Sequence, residues 1–283
     1  MNINARGLDF HQTFKPERSC LTSLLVDLPA CTGKTAEEIS KITGIPTGSS
    51  SGKVVPTISY LEYMGLITQQ IMNKKYQLSY TLVGKCVTTE DPGFIEDLTL
   101  LLLHCMIARK QNGAELWSFI ICDLLPKYHG IIGKENLNKE LDMHFGKDVN
   151  LAPFNGTYTG IFEQLGILKI SSNGYAIHSH SFNTEFLYLY GLILYEYWED
   201  WLSQFTDNEK IQENISESEI TADQIKIMGF RYPFGWSERD EYKTLEVLHD
   251  KGVISLNRQM SPFTVRKIIS KEEIVDLLYS ELC

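Results

Sequence analysis

Three stretches of the chain repeat one pattern of apolar and polar positions. They are YLEYMGLITQQ at 60–70, IFEQLGILKIS at 161–171 and VLHDKGVISLN at 247–257. In each, an amphipathic helix ends at a glycine, and an aliphatic pair follows at once; the glycines are Gly65, Gly166 and Gly252. Glycine adopts the left-handed conformation that ends a helix, and the aliphatic pair is typical of the start of a strand. The pattern therefore predicts a helix followed by a strand at three places.

Each predicted strand is followed by a polar break and a second strand, which together predict a β-hairpin. The first break is Asn73-Lys74-Lys75, and the second is Ser172-Asn173-Gly174, in which Asn-Gly is a strong signal for a tight turn. The third break lies near 258–261, before Phe263-Thr264-Val265.

The first unit also contains the helices that precede such a hairpin in a winged helix. Thr35 is predicted to cap a helix, with Glu38 as its capping-box partner, and Gly44 is predicted to end it. A turn rich in Thr, Gly and Ser follows, and the next helix is predicted at 52–64, with Pro56 in its first turn. Residues 20–88 resemble the winged-helix superfamily, a helix-turn-helix followed by a wing.

The other two units repeat this order less completely. The second is predicted to use helices at 134–144 and 156–165 and a hairpin at 169–178, and the third uses helices at 216–228 and 237–251 and a hairpin that ends near 269. Longer helices are predicted at 92–109, 114–128 and 183–205. The last has an apolar stripe that we interpret as core: Phe186, Leu187, Tyr190, Leu194, Tyr197, Trp198 and Trp201.

These patterns predict a mainly α fold with small β-hairpins (α+β), in which tandem winged-helix-like modules are joined by long core helices. The predicted domains are 1–88, with the N-terminal segment and the first module, 89–205, with a helical middle and the second, and 206–283, with the third.

Composition places the chain among ordinary globular proteins. It has 283 residues, of which 43% are hydrophobic and 22% charged. Its six cysteines form no C-x-x-C pair, and the N-terminus has no apolar core of the kind a signal peptide needs, so we expect a cytoplasmic protein. The apolar stretches at 98–108 and 186–198 are too short to span a membrane.

Charge is distributed unevenly along the chain, whose formal net charge is -10. Residues 1–88 have nine Lys and Arg against six Asp and Glu, whereas 89–200 have seven against fifteen and 201–283 have ten against fifteen. The total argues against general nucleic-acid binding, but the first domain is locally basic.

No motif predicts an enzyme, a cofactor or a metal site. Gly33-Lys34-Thr35 lacks the glycine that a phosphate loop needs five positions before Gly33, so we interpret it as a helix start. His178 and His180 have no third ligand at a readable spacing, and His104-Cys105 lies in an apolar helix, where a core role is favoured.

Two sets of polar residues are candidates for contact with DNA. In the first module they precede the third helix or lie at the wing tip: Ser49, Ser50, Ser51, Lys53, Lys74 and Lys75. In the third module they are Arg258, Arg266 and Lys267. Helix N-termini, small hydroxyl residues and lysines contact phosphates, although the same residues also suit a solvated loop.

The N-terminal segment LDFHQTFKPER contains a specific signature, which consists of Phe10, His11, Thr13, Phe14 and Arg18. It resembles the opening F-x-x-H-E-T-F-x-x-R of a bacterial family catalogued as a domain of unknown function, number 4007. That resemblance implies a place beside sulfurtransferase-like enzymes in DNA sulfur-modification and phage-defence systems. Gln12 stands where the family has Glu, and Cys20 stands near its Trp. We therefore interpret His11, Thr13 and Arg18 first as a structural cap or partner site and second as functional residues.

The modules and the resemblance together favour a non-catalytic DNA-binding or recruiting subunit of a DNA-modification (phosphorothioation-type) or phage-defence system. The net charge favours an alternative, a protein-interaction adaptor that docks an enzyme partner without touching nucleic acid. A third hypothesis is a winged-helix transcription regulator, which would normally be dimeric. Predicted partners are DNA and a sulfurtransferase-like enzyme subunit, with a homodimer possible and no membrane association.

Overall fold

The structure is a computed structural model that describes residues 8–48, 52–212, 215–259 and 261–282. Contacts between residues divide the chain into unit 1, which comprises Met1–Ala108 and Gly113–His178, and unit 2, which comprises Arg109–Asn112 and Ser179–Cys283. Unit 1 contains the predicted first domain and most of the predicted middle domain. The division into three domains stays a prediction.

Unit 1 contains ten helices and five strands among the described residues. The helices are α1 (Arg18–Val26), α2 (Leu28–Cys31), α3 (Ala36–Thr43), α4 (Val54–Tyr63), α5 (Leu82–Glu90), α6 (Asp97–Ile107), α7 (Glu115–Ser118), α8 (Leu125–Lys127), α9 (Lys134–Phe145) and α10 (Ala152–Tyr158). A π-helical segment, Phe119–Leu124, joins α7 to α8, and a 3-10 turn, Glu163–Leu165, follows α10. The strands are β1 (Ile67–Met72), β2 (Lys75–Tyr80), β3 (Ile131–Gly133), β4 (Leu168–Ser171) and β5 (Gly174–Ile177).

Unit 2 contains five helices and three strands among its described residues. The helices are α11 (Leu187–Leu202), which follows a 3-10 turn at Thr184–Phe186, α12 (Asp207–Gln212), α13 (Ala222–Met228), α14 (Glu238–Asp250) and α15 (Lys271–Asp276). The strands are β6 (Glu219–Thr221), β7 (Ile254–Asn257) and β8 (Thr264–Lys267). The short segment 109–112 belongs here because Arg109 Nη1 lies 2.7 Å from Glu196 Oε2, and Gln111 N–H donates to Asp200 Oδ2 at 2.8 Å.

The described residues form three small antiparallel sheets, of which the second and third share one topology. In the second module the strand order is β3-β5-β4, and in the third it is β6-β8-β7, so the strand before the helices pairs with the last strand of the hairpin. In the first module β1 pairs with β2, and Lys34, just before α3, forms a single antiparallel bridge with Tyr76 of β2. About 51% of the residues are in helices and 13% are in strands. The predicted mainly α fold with small β-hairpins (α+β) is therefore confirmed.

Several helix ends in the modules lie where local sequence signals predict them. Thr35 and Glu38 form the predicted capping box on α3, and α4 carries Pro56 in its first turn. The predicted glycines Gly65, Gly166 and Gly252 all have left-handed backbones, with φ of 74°, 58° and 75°. These positions suit glycine because a Cβ would strain them.

The structure corrects several predicted bounds. Residues 219–221 form β6, so the helix predicted at 216–228 begins only at Ala222, where Thr221 caps it. The helix predicted at 156–165 is instead α10 followed by the 3-10 turn, and the helices predicted at 92–109 and 183–205 are the shorter α6 and α11.

The turns of the first two hairpins differ in backbone conformation. The turn between β4 and β5 is centred on Ser172-Asn173, and Gly174 already belongs to β5, so Asn-Gly is not its central pair. Between β1 and β2, Asn73 and Lys74 both have positive φ, 52° and 63°. That is the arrangement of a tight hairpin turn whose twist matches the strands.

Both predicted apolar stretches lie in core helices. Every residue of α6 from Leu98 to Ile107 is buried, and so is the predicted stripe of the Phe186–Trp201 region. No helix in the described part of the chain is long and apolar enough to cross a bilayer.

Gly84 allows α5 to pack against the start of the first hairpin. A Cβ added at Gly84 would lie 1.7 Å from the backbone oxygen of Leu66. We expect Gly84→Ala to lower the free energy of unfolding by about 3 kcal/mol, because backbone must move to admit the methyl group. At Gly146 nothing lies within 4 Å of an added Cβ. Gly146→Ala should cost only about 1 kcal/mol, from its left-handed φ. Urea unfolding of both variants measures the difference, and equal losses would contradict this account of Gly84.

Candidate nucleic-acid interface

The signature segment, 8–18, lies against α4, the third helix of the first module. The ring of Phe10 packs with those of Tyr60 and Tyr63, at centroid distances of 5.0 and 4.6 Å, and with Trp117 of α7 at 5.7 Å. The hydroxyl of Tyr60 donates to the backbone oxygen of Phe14 at 2.9 Å. This packing joins the N-terminus to both α4 and α7.

His11 is fixed inside this packing. It is 2% exposed, and its Nδ1 accepts a hydrogen bond from the N–H of Thr13 at 3.1 Å. Burial lowers the pKa of His11, although Asp9 opposes the shift. A neutral ring that accepts at Nδ1 carries its proton on Nε2. Gln12 and Thr13 hold left-handed backbones, with φ of 45° and 74°, so His11 stabilises a strained turn.

Arg18 closes the other end of the segment. Its guanidinium donates to the backbone oxygen of Phe94 and to Gln164 Oε1, the latter at 3.2 Å. The stem of Lys15 also lies against Gly156 of α10, where an added Cβ would approach it to 2.7 Å. The signature residues therefore make internal contacts within unit 1, in keeping with the expected structural cap.

Lys53, predicted to meet phosphate, is paired with the signature segment. Its Nζ lies 2.8 Å from Glu17 Oε1 and 5.8 Å from the centroid of the Phe14 ring. The hydrogen bond to Glu17 raises the pKa of Lys53. Its positive charge is thus retained but balanced by a neighbouring carboxylate.

Helix α4 exposes little surface to a duplex. Seven of its ten residues are buried, including Tyr60 and Tyr63 beneath the signature segment. A recognition helix needs an exposed face with side chains that reach base edges. Only Val55, Ser59 and Glu62, which lie on one face of α4, are partly exposed.

The wing of the first module is exposed. Lys74 and Lys75 lie at its tip and are solvent-exposed, and the neighbouring Ile71 and Met72 are 60% and 58% exposed. Lys75 acts electrostatically on Glu38, whose pKa is lowered mainly by its hydrogen bond with the backbone of Thr35. Ser49, Ser50 and Ser51 lie outside the described residues.

Two predicted residues of the third module are exposed but paired. Arg258 Nη2 lies 2.9 Å from Glu246 Oε1, and Arg266 Nη2 lies 2.9 Å from Glu219 Oε2. Their side chains remain 51% and 61% exposed. Each charge has a carboxylate partner, which weakens any attraction to phosphate.

Lys267 is packed within unit 2. Its Nζ lies 4.7 and 4.8 Å from the ring centroids of Tyr195 and Trp198 and 3.5 Å from Glu199 Oε1. Burial lowers the pKa of Lys267. The structure therefore does not bring Lys267 together with Arg258 and Arg266 in one exposed basic surface.

The remaining candidate motifs form no ligand site among the described residues. Gly33 N–H donates to Tyr76 O at 2.7 Å, and Thr35 caps α3, so Gly33-Lys34-Thr35 starts a helix as predicted. Among the described residues no group of three or more His, Cys, Asp or Glu is placed to hold a metal. The sequence analysis did not identify Glu17, although this residue lies within the signature segment. It also did not identify the exposed residues Ile71 and Met72, which the sequence marks as an apolar pair directly before the lysines of a turn.

Solved structures with a similar fold include two of SspB. A crystal structure of magnesium ion-bound SspB has a TM-score of 0.66 and 12% sequence identity, and another SspB crystal structure has a TM-score of 0.64 and 13% identity. Each comparison covers 96% of this chain and 86% of the other. No family model and no curated protein matches the chain. At these identities the likeness extends to the fold.

Protonation of His11 should destabilise the signature segment. The ordinary pKa of histidine, 6.5, applies to the unfolded chain, and the folded-state pKa lies below it. The unfolded chain therefore binds more protons, so the stabilisation is complete above pH 6.5 and is lost as the pH falls through the folded-state pKa. We expect His11→Asn, whose side-chain oxygen can still accept from Thr13, to reduce the loss of stability between about pH 7.5 and about pH 5.5.

Urea unfolding at both pH values measures this effect. His129→Asn is the matched control, because His129 is exposed and Asn tolerates its left-handed φ of 54°. An unchanged pH dependence in His11→Asn would show that His11 does not titrate on unfolding.

Proposed function

We propose that this chain is a non-catalytic recruiting subunit of a DNA sulfur-modification (phosphorothioation-type) or phage-defence system, and that it touches the duplex through the wing of its first module. The fold resembles that of SspB, a protein of a phosphorothioation system. The N-terminal signature, with its resemblance to the family of unknown function, supports the same setting. A sulfurtransferase-like enzyme subunit is the proposed protein partner.

The exposed wing tip is the observation that carries the proposal. Lys74 and Lys75 project from a turn whose left-handed residues present them at the end of the longest hairpin. Lysines at such a position follow the phosphate backbone and position a protein without reading sequence. Lys53, by contrast, already has a carboxylate partner in Glu17.

An adaptor that docks an enzyme without touching nucleic acid is the second candidate. Two observations favour it: the signature segment covers α4, and α14, the third helix of the third module, carries five carboxylates against two basic side chains. The covered α4 argues against a transcription regulator that reads DNA with this helix.

The wing can be tested by fluorescence anisotropy with a random duplex, with and without backbone sulfur, from about 50 to about 200 mM salt. We expect Lys74→Ala/Lys75→Ala to weaken binding about tenfold at the lowest salt, and to reduce the slope of log affinity against log salt by roughly two. Lys41→Ala/Lys85→Ala is the matched control, since both lysines are exposed in unit 1 away from the wing tip. It should bind almost as the unchanged protein does.

Other outcomes would support the competing hypotheses. No duplex binding at about 50 mM salt, together with a stoichiometric enzyme partner and no nucleic acid in a pull-down, would support the adaptor. Conversion of a supercoiled plasmid to its nicked form in the presence of Mg²⁺ would contradict the non-catalytic role. Equal losses in the wing and control variants would contradict the wing as the contact.

A further inference from the structure

Unit 2 contains a groove between α14 and an irregular segment at 179–182. The groove has a volume of about 620 Å³, and Trp236 contributes to its lining. One wall is a single face of α14, with Asp240, Lys243, Val247 and Asp250 at helical spacing. In a DNA-binding winged helix, the helix that corresponds to α14 contacts DNA. The charges on α14 therefore indicate which kind of partner this module can bind.

The helix wall is acidic. Asp240, Glu246 and Asp250 line the groove with Lys243 as the basic residue among them. The hydrogen bond from Ser237 lowers the pKa of Asp240, so its carboxylate is charged at neutral pH. Arg258 balances Glu246 at 2.9 Å. Phosphate would be repelled by the remaining carboxylates, whereas cationic side chains would be attracted.

The opposite wall offers main-chain and aromatic contacts. Ser181 and Phe182 are exposed, and neither donates a backbone hydrogen bond to any residue that the structure describes. Phe182 is 39% exposed while its ring stacks on Tyr190 at a centroid distance of 5.1 Å. Free N–H groups beside an exposed ring suit an extended peptide, which pairs its backbone with one wall and places side chains in the groove.

His180 and Trp236 hold this wall in place. His180 N–H donates to Phe234 O at 2.8 Å, and Trp236 Nε1 donates to His180 O at 2.7 Å. Trp236 also stacks on Phe234 at 4.1 Å. The groove is therefore shaped before any partner arrives, which reduces the ordering cost of binding.

We infer that this groove binds a basic, extended segment of a partner protein. Charge complementarity with the wall of α14 selects the cationic side chains, and the main chain at 181–182 selects the extended backbone. The inference does not depend on duplex contact at the first wing, because the two surfaces involve different residues and different probes.

A fluorescein-labelled peptide of alternating Arg and Val, with a Glu-Val peptide as its counterpart, tests the inference on the full chain. We expect the basic peptide to bind and Asp250→Lys to weaken that binding about tenfold. Asp276→Lys is the matched control, because Asp250 and Asp276 are each the exposed last residue of a helix, α14 and α15. General attraction of a basic peptide to an acidic protein would be reduced equally by both substitutions.

A second pair of variants tests the opposite wall. Phe182→Ala should weaken the basic peptide about fivefold, since an exposed ring that contacts cations or apolar groups contributes about 1 kcal/mol. Ile227→Ala removes a 60% exposed apolar side chain away from the groove and should leave binding unchanged. Equal effects of Asp250→Lys and Asp276→Lys would overturn the inference. Binding of the Glu-Val peptide would do the same.

Loss of duplex affinity in the wing variant and loss of peptide affinity in the groove variants are separate results. Binding of the peptide without binding of the duplex would support the groove and contradict the proposed wing contact. Binding of the duplex without binding of the peptide would support the wing contact and contradict the groove.

Discussion

Aromatic packing between Phe10 and the buried face of α4 determines which surfaces the first module can present. The ring of Phe10 contacts Tyr60, Tyr63 and Trp117 together. The same docking brings Glu17 to Lys53 and directs Arg18 towards Phe94 and Gln164. Because most of α4 is used for packing, the exposed tip of this module is its wing.

A comparable constraint operates in unit 2. The hydroxyl of Tyr195 on α11 donates to the backbone oxygens of Val253 and Ile269, at 2.9 and 3.1 Å, and Lys271 pairs with Glu196 and Glu199. These bonds attach the third module's hairpin and the start of α15 to one buried helix. Lys267 and Lys271 are paired with carboxylates of that helix, whereas α14 exposes several acidic residues. Repeated topology therefore does not imply repeated binding chemistry.

Local sequence signals predicted the helices and hairpins of the modules. Contacts between residues distant in sequence determine which candidate site residues are paired. Capping at Thr35 and left-handed glycine at Gly65 depend on a few neighbouring residues, so the sequence alone revealed them. Strand β6 is only three residues long and acquires its identity from pairing with β8, although Thr221-Ala222-Asp223-Gln224 repeats the cap chemistry of residues 35–38 and could have marked its end. The partners of Lys53 and Lys267 lie 36 and 68 residues away, beyond the reach of any local pattern.

Contacts between residues far apart in the sequence also affect the order in which unit 1 can fold during synthesis. Arg18 donates to Gln164, which is 146 residues later, and Lys147 pairs with Asp9 across 138 residues. These two contacts of the segment 9–18 can form only after residues 147 and 164 have been synthesised. The contacts of Phe10 with Tyr60 and Tyr63 need only the first module, whereas Trp117 joins them later. The signature segment therefore packs in two stages, first against α4 and then against the second module.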